Sequence, residues 1–334
     1  MYSGIFPQTR LRRVRTSSFI RDLVQENNVS VKDLVYPIFV IEGHGIENEL
    51  PWLPGQYQYS QDKVLNIIQE CVKYGIRAIA LFPKIDSSKL NNMATESYNP
   101  SGLIPNVIKL IKKNFPDLGI FSDVALDPYT DSGMDGIIDE SGYVVNDETN
   151  HILSKQALCH AESGADFVCP SDMMDGRIML IRKELEQNNF HNTGILSYVV
   201  KFNSSLYAPF RYAVGSGFVI GKRDKKTFQI NPGNINEILH EAFLDIQEGA
   251  DILMVKPGMM YLDVLYRIKS EFKKPTASYN VSGEYCFLKT SNWLNYNEAI
   301  LETMLCFKRA GADFIWSYSA LDVAKILYQD KLSS

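Results

Sequence analysis

Thiols are few. Cys71, Cys159, Cys169, Cys286 and Cys306 are the five cysteines among 334 residues. They are odd in number and scattered, with no C-x-x-C and no zinc-type spacing. That excludes a disulfide framework and a cysteine-rich zinc module. Three lie in apolar stretches and read as core. No apolar run approaches the roughly 18 residues of a membrane span, so no membrane partner is expected. Charge of one sign does not dominate. The chain has 34 Lys+Arg against 39 Asp+Glu, a net charge of −5, which argues against a general nucleic-acid binder. No G-x-G-x-x-G follows the first apolar run, which weakens a dinucleotide-binding sheet. The string GSGFVIGKRD is not a phosphate loop, because the Gly-to-Gly-Lys spacing is wrong and no Ser or Thr follows the lysine. The N-terminus is basic but carries no long apolar segment, so a secretory signal is not expected. The expected location is a reducing cytoplasm, although an Arg-rich, Ser-containing start leaves an organelle transit peptide open. The N-x-[ST] sequons at Asn28, Asn203 and Asn280 read as chance.

What is present is ordinary globular composition, 45% hydrophobic and 22% charged. The length fits two domains, or one α/β barrel of roughly 250 residues with an extension. A chain this long buries a large core without disulfide or metal support. Residues 1–30 stand apart: Arg10, Arg12, Arg13 and Arg15 crowd beside Ile5-Phe6-Pro7. This reads as an arm that has no core of its own and docks on a neighbouring subunit.

From Asp33 a rhythm begins. Eight short apolar runs are predicted as strands: Leu34–Ile41, Ala78–Pro83, Gly119–Leu126, Asp166–Pro170, Gly194–Phe202, Asp251–Pro257, Thr276–Ser282 and Asp313–Tyr318. Near-continuous apolar runs suit a parallel sheet buried on both faces. Amphipathic stretches such as Gln61–Lys73, Leu103–Lys113 and Asn297–Arg309 lie between them, with helical spacing of apolar residues. SGADFVCPSD, EGADILMVKP and AGADFIWSYS repeat a helix end, a Gly-Ala-Asp turn and a strand. Eight strand–helix units in series read as a (β/α)₈ TIM barrel over residues 31–334, with the N-terminal arm before it. An open doubly wound sheet is the alternative.

Barrel chemistry sits at the C-terminal ends of strands, so the polar residues closing each run carry the information. They are Asp123 and Asp127, Ser171 and Asp172, Lys201, Lys256, Ser282 with Glu284, and Ser317 with Tyr318. A lysine ending an apolar strand is costly unless it is paired or its pKa is lowered. Two on successive strands lie near each other at the barrel mouth, and each ammonium lowers the other's pKa. A free amine attacks ketones to form a Schiff base. Asp123 and Asp172 are strand-end carboxylates able to pass protons to and from such amines. Ser171 and Ser197 serve either as hydrogen-bond partners behind the site or as barrel polar layers.

At these residues the chain resembles the porphobilinogen synthase (5-aminolevulinate dehydratase) family. The segments are LVYPIFVIEG, LPGQYQYS, SYNPSGL, FSDVALDPYTDSGMDG, CPSDMMDGRI, LSYVVKFNSSLYAPFR, GADILMVKPGMMYLD and YNVSGEY, together covering about residues 10–325. The resemblance implies a (β/α)₈ barrel with an N-terminal arm, assembled as a homo-octamer. It implies condensation of two 5-aminolevulinate molecules to porphobilinogen with loss of two waters, an early step of haem and other tetrapyrrole synthesis. Lys201 then holds the A-side substrate and Lys256 the P-side substrate, with Asp123 positioning a water or substrate amine. Asp172 is expected among the substrate contacts. Arg211 matches the first A-side carboxylate contact. The second is either Arg223 or Lys225, because IGKRDKKTFQ is two residues longer than the family string; Gln229 follows in either alignment. Ser282 and Tyr318 match the P-side carboxylate contacts. The segment from Phe202 to Gln229 is the implied lid.

Where zinc-type relatives carry three cysteines, this chain has Ala125, Asp127 and Asp135, so no zinc is expected. Asp127 and Asp135 resemble a magnesium-type or metal-independent site; Ser132 and Met134, standing where relatives carry His, weaken even magnesium there. Glu241 stands at the family position of an allosteric Mg²⁺ outside the active site, with Arg12 and Arg13 of the arm at the neighbouring interface. No organic cofactor is expected. Two other readings remain: a different lysine-imine aldolase on the same barrel, and a catalytically weak scaffold.

Overall fold

The computed structural model describes residues 4–221 and 223–333. The first three residues of the expected arm, Lys222 of the glycine-rich string and Ser334 lie outside the described residues. The eight apolar runs become eight parallel strands: β1 Leu34–Ile41, β2 Ala78–Lys84, β3 Gly119–Val124, β4 Phe167–Pro170, β5 Gly194–Lys201, β6 Ile252–Lys256, β7 Thr276–Asn280 and β8 Phe314–Ser317. They hydrogen-bond in sequence order, and β8 returns to β1 through Leu34↔Ile315 and Val35↔Trp316. The sheet is therefore a closed barrel, a (β/α)₈ fold, and the open-sheet alternative is excluded. A short hairpin, Glu47–Glu49 with Tyr57–Tyr59, adds to the upper end of β1.

Strand parity divides the core in two. Val35, Phe39, Ala80, Phe82, Phe121, Cys169, Leu196, Tyr198, Met254, Ala277, Tyr279 and Trp316 face one another inside the barrel. Their alternating neighbours, such as Val40, Leu81, Ile120, Val168, Leu253 and Ile315, face the helices. The interior is unusually aromatic for its position, with Phe121 stacked on Phe167 at 4.9 Å and Trp316 edge-on to Tyr198 and Tyr279. The helices Gln61–Lys73, Leu103–Asn114 and Tyr296–Ala310 form where the 3.6-residue period placed them.

The Gly-Ala-Asp echo has a structural cause. Gly164, Gly249 and Gly311 end helices at φ of +105°, +112° and +108°, the left-handed conformation glycine adopts without strain. The aspartate that follows does not enter its strand. Asp166 accepts from the Ile120 backbone N–H at 2.7 Å, Asp251 from Ile195 at 2.8 Å and Asp313 from Thr276 at 2.7 Å. Each also holds one cation: Lys112, Arg182 or Lys269. β4, β6 and β8 therefore begin one residue later than their apolar runs suggest. These stitches lie at the N-terminal end of the barrel, the stability face.

The arm contributes no buried residue to this core; near its end Val29, partly buried, packs against the core, as does Val31 just beyond. No residue from 4 to 33 is buried, and Ile5, Phe6, Leu11, Phe19 and Leu23 stand open to solvent. All five cysteines are free; Cys71, Cys159 and Cys169 are buried as core, and Cys286 and Cys306 are half-buried. No helix among the described residues is long and apolar enough to cross a membrane.

Candidate active site

A bulge in β5 brings the two lysines together. The β5–β6 ladder starts as Leu196↔Ile252 and Ser197↔Leu253, then shifts by one residue to Val200↔Val255 and Lys201↔Lys256. Continued without the shift, Lys201 would stand opposite Pro257. Its parity would also be wrong: Leu196 and Tyr198 face the barrel interior, so residue 200 would be next inward. Instead Val199 and Val200 both pack on the helix side, and Lys201 turns into the mouth. One extra residue in one strand re-aims every side chain beyond it. Neighbouring strands lie about 4.8 Å apart, so register partners on one face are within reach of one reaction centre.

The two lysines meet different surroundings. Lys201 Nζ donates to Asp135 Oδ1 at 3.0 Å and to the Ser171 carbonyl. Lys256 has no carboxylate within ion-pair distance among the described residues. Its ammonium lies instead among four rings, 4.8 Å from Tyr279, 5.0 Å from Phe210, 5.1 Å from Tyr198 and 5.2 Å from Tyr207. Ring faces attract a cation but do not replace its hydration. Burial, followed by the charge of Lys201, brings the Lys256 pKa down to about 7. Asp123, inward-facing on β3, moves the opposite way: burial raises its pKa to about 7 against the pull of Lys256. Its Oδ1 has no hydrogen-bond partner among the described residues. An amine and a carboxyl poised near neutrality beside each other can exchange a proton at little cost.

Asp135 is the anion of the site. Burial opposes its charge, but the ammoniums of Lys201 and Lys225 override that and lower its pKa to about 2. Lys225 contacts Asp135 directly and lies 3.4 Å from Asp127 Oδ2. Those two carboxylates raise the pKa of Lys225 against the opposing effect of burial.

The segment from Phe202 to Gln229 folds over the mouth. Its ends are pinned: Ile230 N donates to Lys201 O at 3.0 Å and Asn203 N to Ile230 O at 2.8 Å. Two helices, Ala208–Val214 and Ser216–Val219, meet at Gly215, whose φ of +90° makes the turn between them. Tyr207 Oη donates to Lys256 O at 3.1 Å, and Ser282 Oγ accepts from Phe210 N and donates to Leu206 O, each at 3.1 Å. The cavity left beneath is about 20 Å³, room for about one water.

Of the residues expected here, Asp123, Asp127, Lys201, Arg211, Lys225, Gln229 and Lys256 line this cavity, with Ser171. Arg211 has no carboxylate partner among the described residues. Of the two lid cations, Lys225 is 3% exposed and inside, whereas Arg223 is exposed and outside. Tyr318 is buried behind the mouth with its hydroxyl 2.8 Å from Tyr279 Oη. Asp172 does not line the cavity. It accepts from Met174 N at 2.7 Å and faces Arg177 at 3.6 Å, because a fully buried carboxylate needs local donors and a counter-charge. Ser197 belongs to the same network, donating to Asp245, which holds Arg177 at 2.9 Å. Glu284 turns away from the mouth to cap its own helix, accepting from Val281, Met259 and Met260 N–H groups. The rings around Lys256 are a site feature that no motif in the sequence marks. Tyr207 and Phe210 stood in the KFNSSLYAPFR string, but only the third dimension brings Tyr198 and Tyr279 to the same ammonium.

Comparison with known proteins decides the family. The model of the delta-aminolevulinic acid dehydratase family matches residues 8–326. The chain belongs to the delta-aminolevulinic acid dehydratase family. A dehydratase of Chlamydia pneumoniae is 47% identical over 330 residues, 98% of each chain. That of Methanothermus sociabilis is 46% identical over 324 residues, 96% of this chain and 99% of its own. A crystal structure of the Toxoplasma gondii ME49 dehydratase, in complex with the reaction product porphobilinogen, superposes with a TM-score of 0.95 at 46% identity. That match covers 97% of this chain and 92% of the other.

The dehydratase family is metal-dependent. The strand-three loop of this chain does not fit a metal. Ala125 offers no ligand atom, and the facing oxygens of Asp127 and Asp135 hold the Lys225 ammonium. No group of three or more His, Cys, Asp or Glu side chains able to hold an ion occurs among the described residues. Glu241 is different. It lies half-buried on the helix Ile238–Glu248, away from the barrel mouth. Burial raises its pKa, and the carboxylates of Asp245, Asp175 and Glu237 add to this, while Arg177 opposes it. Glu241 is not one of three grouped ligand side chains among the described residues, so a hard cation there would keep most of its waters.

Proposed function

We propose that this protein condenses two molecules of 5-aminolevulinate to porphobilinogen, releasing two waters. The observation that carries the reading is the in-register pair Lys201 and Lys256, aimed together into one barrel mouth. Each amine attacks a substrate ketone carbon; the carbonyl oxygen leaves as water and an imine forms. Loss of a proton beside one imine gives the enamine that attacks the other substrate. The amino group of one substrate then attacks the imine carbon of the other and displaces its lysine, closing the ring; elimination expels the second lysine as its amine, with loss of a proton from the ring, so both lysines are regenerated. Lys201 serves the A-side substrate and Lys256 the P-side one. Lys256, held near neutrality by burial, is the readier nucleophile, and Asp123 takes and returns protons beside it. Two substrates fixed side by side gain the proximity advantage of an intramolecular reaction.

Arg211 and Gln229, with Lys225 rather than the exposed Arg223, receive the A-side carboxylate. Ser282 and Tyr318 receive the P-side carboxylate after Ser282 releases the lid backbone. Asp172 acts from behind the cavity, setting the strand-four end through Arg177. The segment from Phe202 to Gln229 is the lid; it opens for two substrates and closes to exclude water. A Mg²⁺ held by Glu241 through waters would be structural, supplying charge between subunits and no chemistry on substrate. The arm, residues 1–30, covers its exposed apolar side chains on a neighbouring copy, and the assembly is an octamer. Free cysteines agree with a reducing, cytoplasmic location.

The test is porphobilinogen formation from 5-aminolevulinate by purified protein, after EDTA and again after Mg²⁺ or Zn²⁺. Product in the assay, raised by Mg²⁺ and not by Zn²⁺, is the expected result. Folded protein that forms no product under any of these conditions contradicts the reading.

A further inference from the structure

The loop that should hold a metal is built around an ammonium instead. Asp127 and Asp135 stand at two of the three positions where zinc-type relatives carry cysteine, and the third is Ala125. Asp135 is wholly buried, with one oxygen on Lys201 and the other on Lys225. Lys225 completes a bridge to Asp127. The lid therefore delivers one positive charge to the point where both carboxylates converge. The same mouth carries three carboxylates, Asp123, Asp127 and Asp135, against the three lysines Lys201, Lys225 and Lys256 and the guanidinium of Arg211, so its carboxylates are compensated without any added cation. A divalent cation placed between Asp127 and Asp135 would meet the Lys225 ammonium in contact, with water too scarce to screen the repulsion.

We propose that Lys225 is the resident cation of this site: its ammonium fills the place between Asp127 and Asp135 and keeps a divalent metal out. It is a positioning residue for Asp135, holding that carboxylate ionised and aimed at Lys201 while the lid is closed. A compact ammonium on a flexible stem suits this exchange role, since it can leave with the lid and return. The inference rests on the proposed condensation only for its kinetic consequence; cation binding stands independently of turnover.

The experiment is titration with Mn²⁺, followed by electron paramagnetic resonance, on full-length protein in a Glu241→Gln background that removes the other proposed ion. With Lys225 present, no Mn²⁺ should bind at micromolar concentrations. Lys225→Ala and the bulkier Lys225→Ser should each take up about one Mn²⁺ per chain. Adding Asp127→Asn should abolish that uptake. The Lys225 variants should also lose turnover far more than Lys225→Arg, with a partial recovery on Mn²⁺. Thermal melting and circular dichroism confirm folding, and the lid position of Lys225, outside the barrel strands, favours it. Mn²⁺ bound in the Lys225 protein and lost on Asp127→Asn would overturn the proposal, as would Lys225→Ala and Lys225→Ser variants that fold but bind none. A protein that makes no porphobilinogen defeats the functional reading and leaves the Mn²⁺ titration readable.

Discussion

Lys201 and Lys256 are register partners across β5 and β6, yet among the described residues only Lys201 of the two has a carboxylate within ion-pair distance. The asymmetry assigns different chemistry to two identical side chains. Lys256, with its pKa brought down to about 7, is largely free amine above neutrality. Below pH 7 its amine fraction falls about tenfold per unit. Borohydride trapping of substrate on Lys256 should follow that curve, rising to a plateau above pH 7. Trapping that climbs steadily to pH 10 would show an ordinary lysine. Lys256→Met should lower turnover by at least about 10³-fold.

Asp123 separates catalysis from folding. Its unpartnered Oδ1 forgoes a hydrogen bond that a structural carboxylate would make. Asp123→Asn should lower kcat by about 10²–10⁴-fold with little change in KM. Its melting temperature should hold or rise, because a buried charge is removed. Unchanged kcat in a folded variant would remove Asp123 from the mechanism.

The aspartate stitches predict the reverse. Asp313→Ala removes acceptors for Thr276 N and Lys269 at the end of the barrel remote from the lysines. Stability should fall by about 1–3 kcal/mol, the cost of an orphaned backbone donor. Kinetic constants below the melting range should stay within a factor of about two. A large loss of kcat without a loss of stability would show that this face does more than hold strands together.

His160 predicts an acid limb in stability. Its ring is buried, with Nδ1 2.8 Å from Ser122 Oγ and no partner for Nε2 among the described residues, and burial brings its pKa down to about 3. The unfolded chain takes up this proton near pH 6.5, the folded chain only near pH 3. Between those values the unfolded state binds more protons, so stability falls as pH falls, by up to about 1.4 kcal/mol per unit from this group. His160→Gln should flatten the slope between pH 6.5 and 4 in chemical denaturation. An unaltered slope would mean that His160 already carries its proton in the fold.

Deleting residues 1–23 should shrink the assembly in sedimentation while leaving the barrel folded, because no residue from 4 to 33 is buried in the single chain. A truncated chain that keeps the full assembly would assign the contacts to the barrel.

Much of this was legible in the sequence, for identifiable reasons. Parallel strands buried on both faces are continuous apolar runs, so all eight could be read to within one or two residues at most ends. The Gly-Ala-Asp echo announced a repeated local solution, though not that each aspartate reaches back to the preceding strand. The lysines were visible as charges closing apolar runs. Hidden was the bulge that makes them neighbours. In LSYVVKF every residue before the lysine is buried, so no alternation marks where inward and outward exchange. Lys225 was read only as a carboxylate contact, since its two aspartate partners lie about ninety residues away. Asp172 looked like a site residue from its strand-end position; its partner Arg177, which turns it away from the cavity, carried no such mark.

The proposed chemistry puts a covalently bound substrate molecule on each of two lysines. Mass mapping after a brief exposure to 5-aminolevulinate and borohydride tests it most directly. Peptide adducts are expected on both Lys201 and Lys256, with the Lys256 adduct appearing first. A single modified lysine at saturating substrate, or none in folded protein, would contradict it.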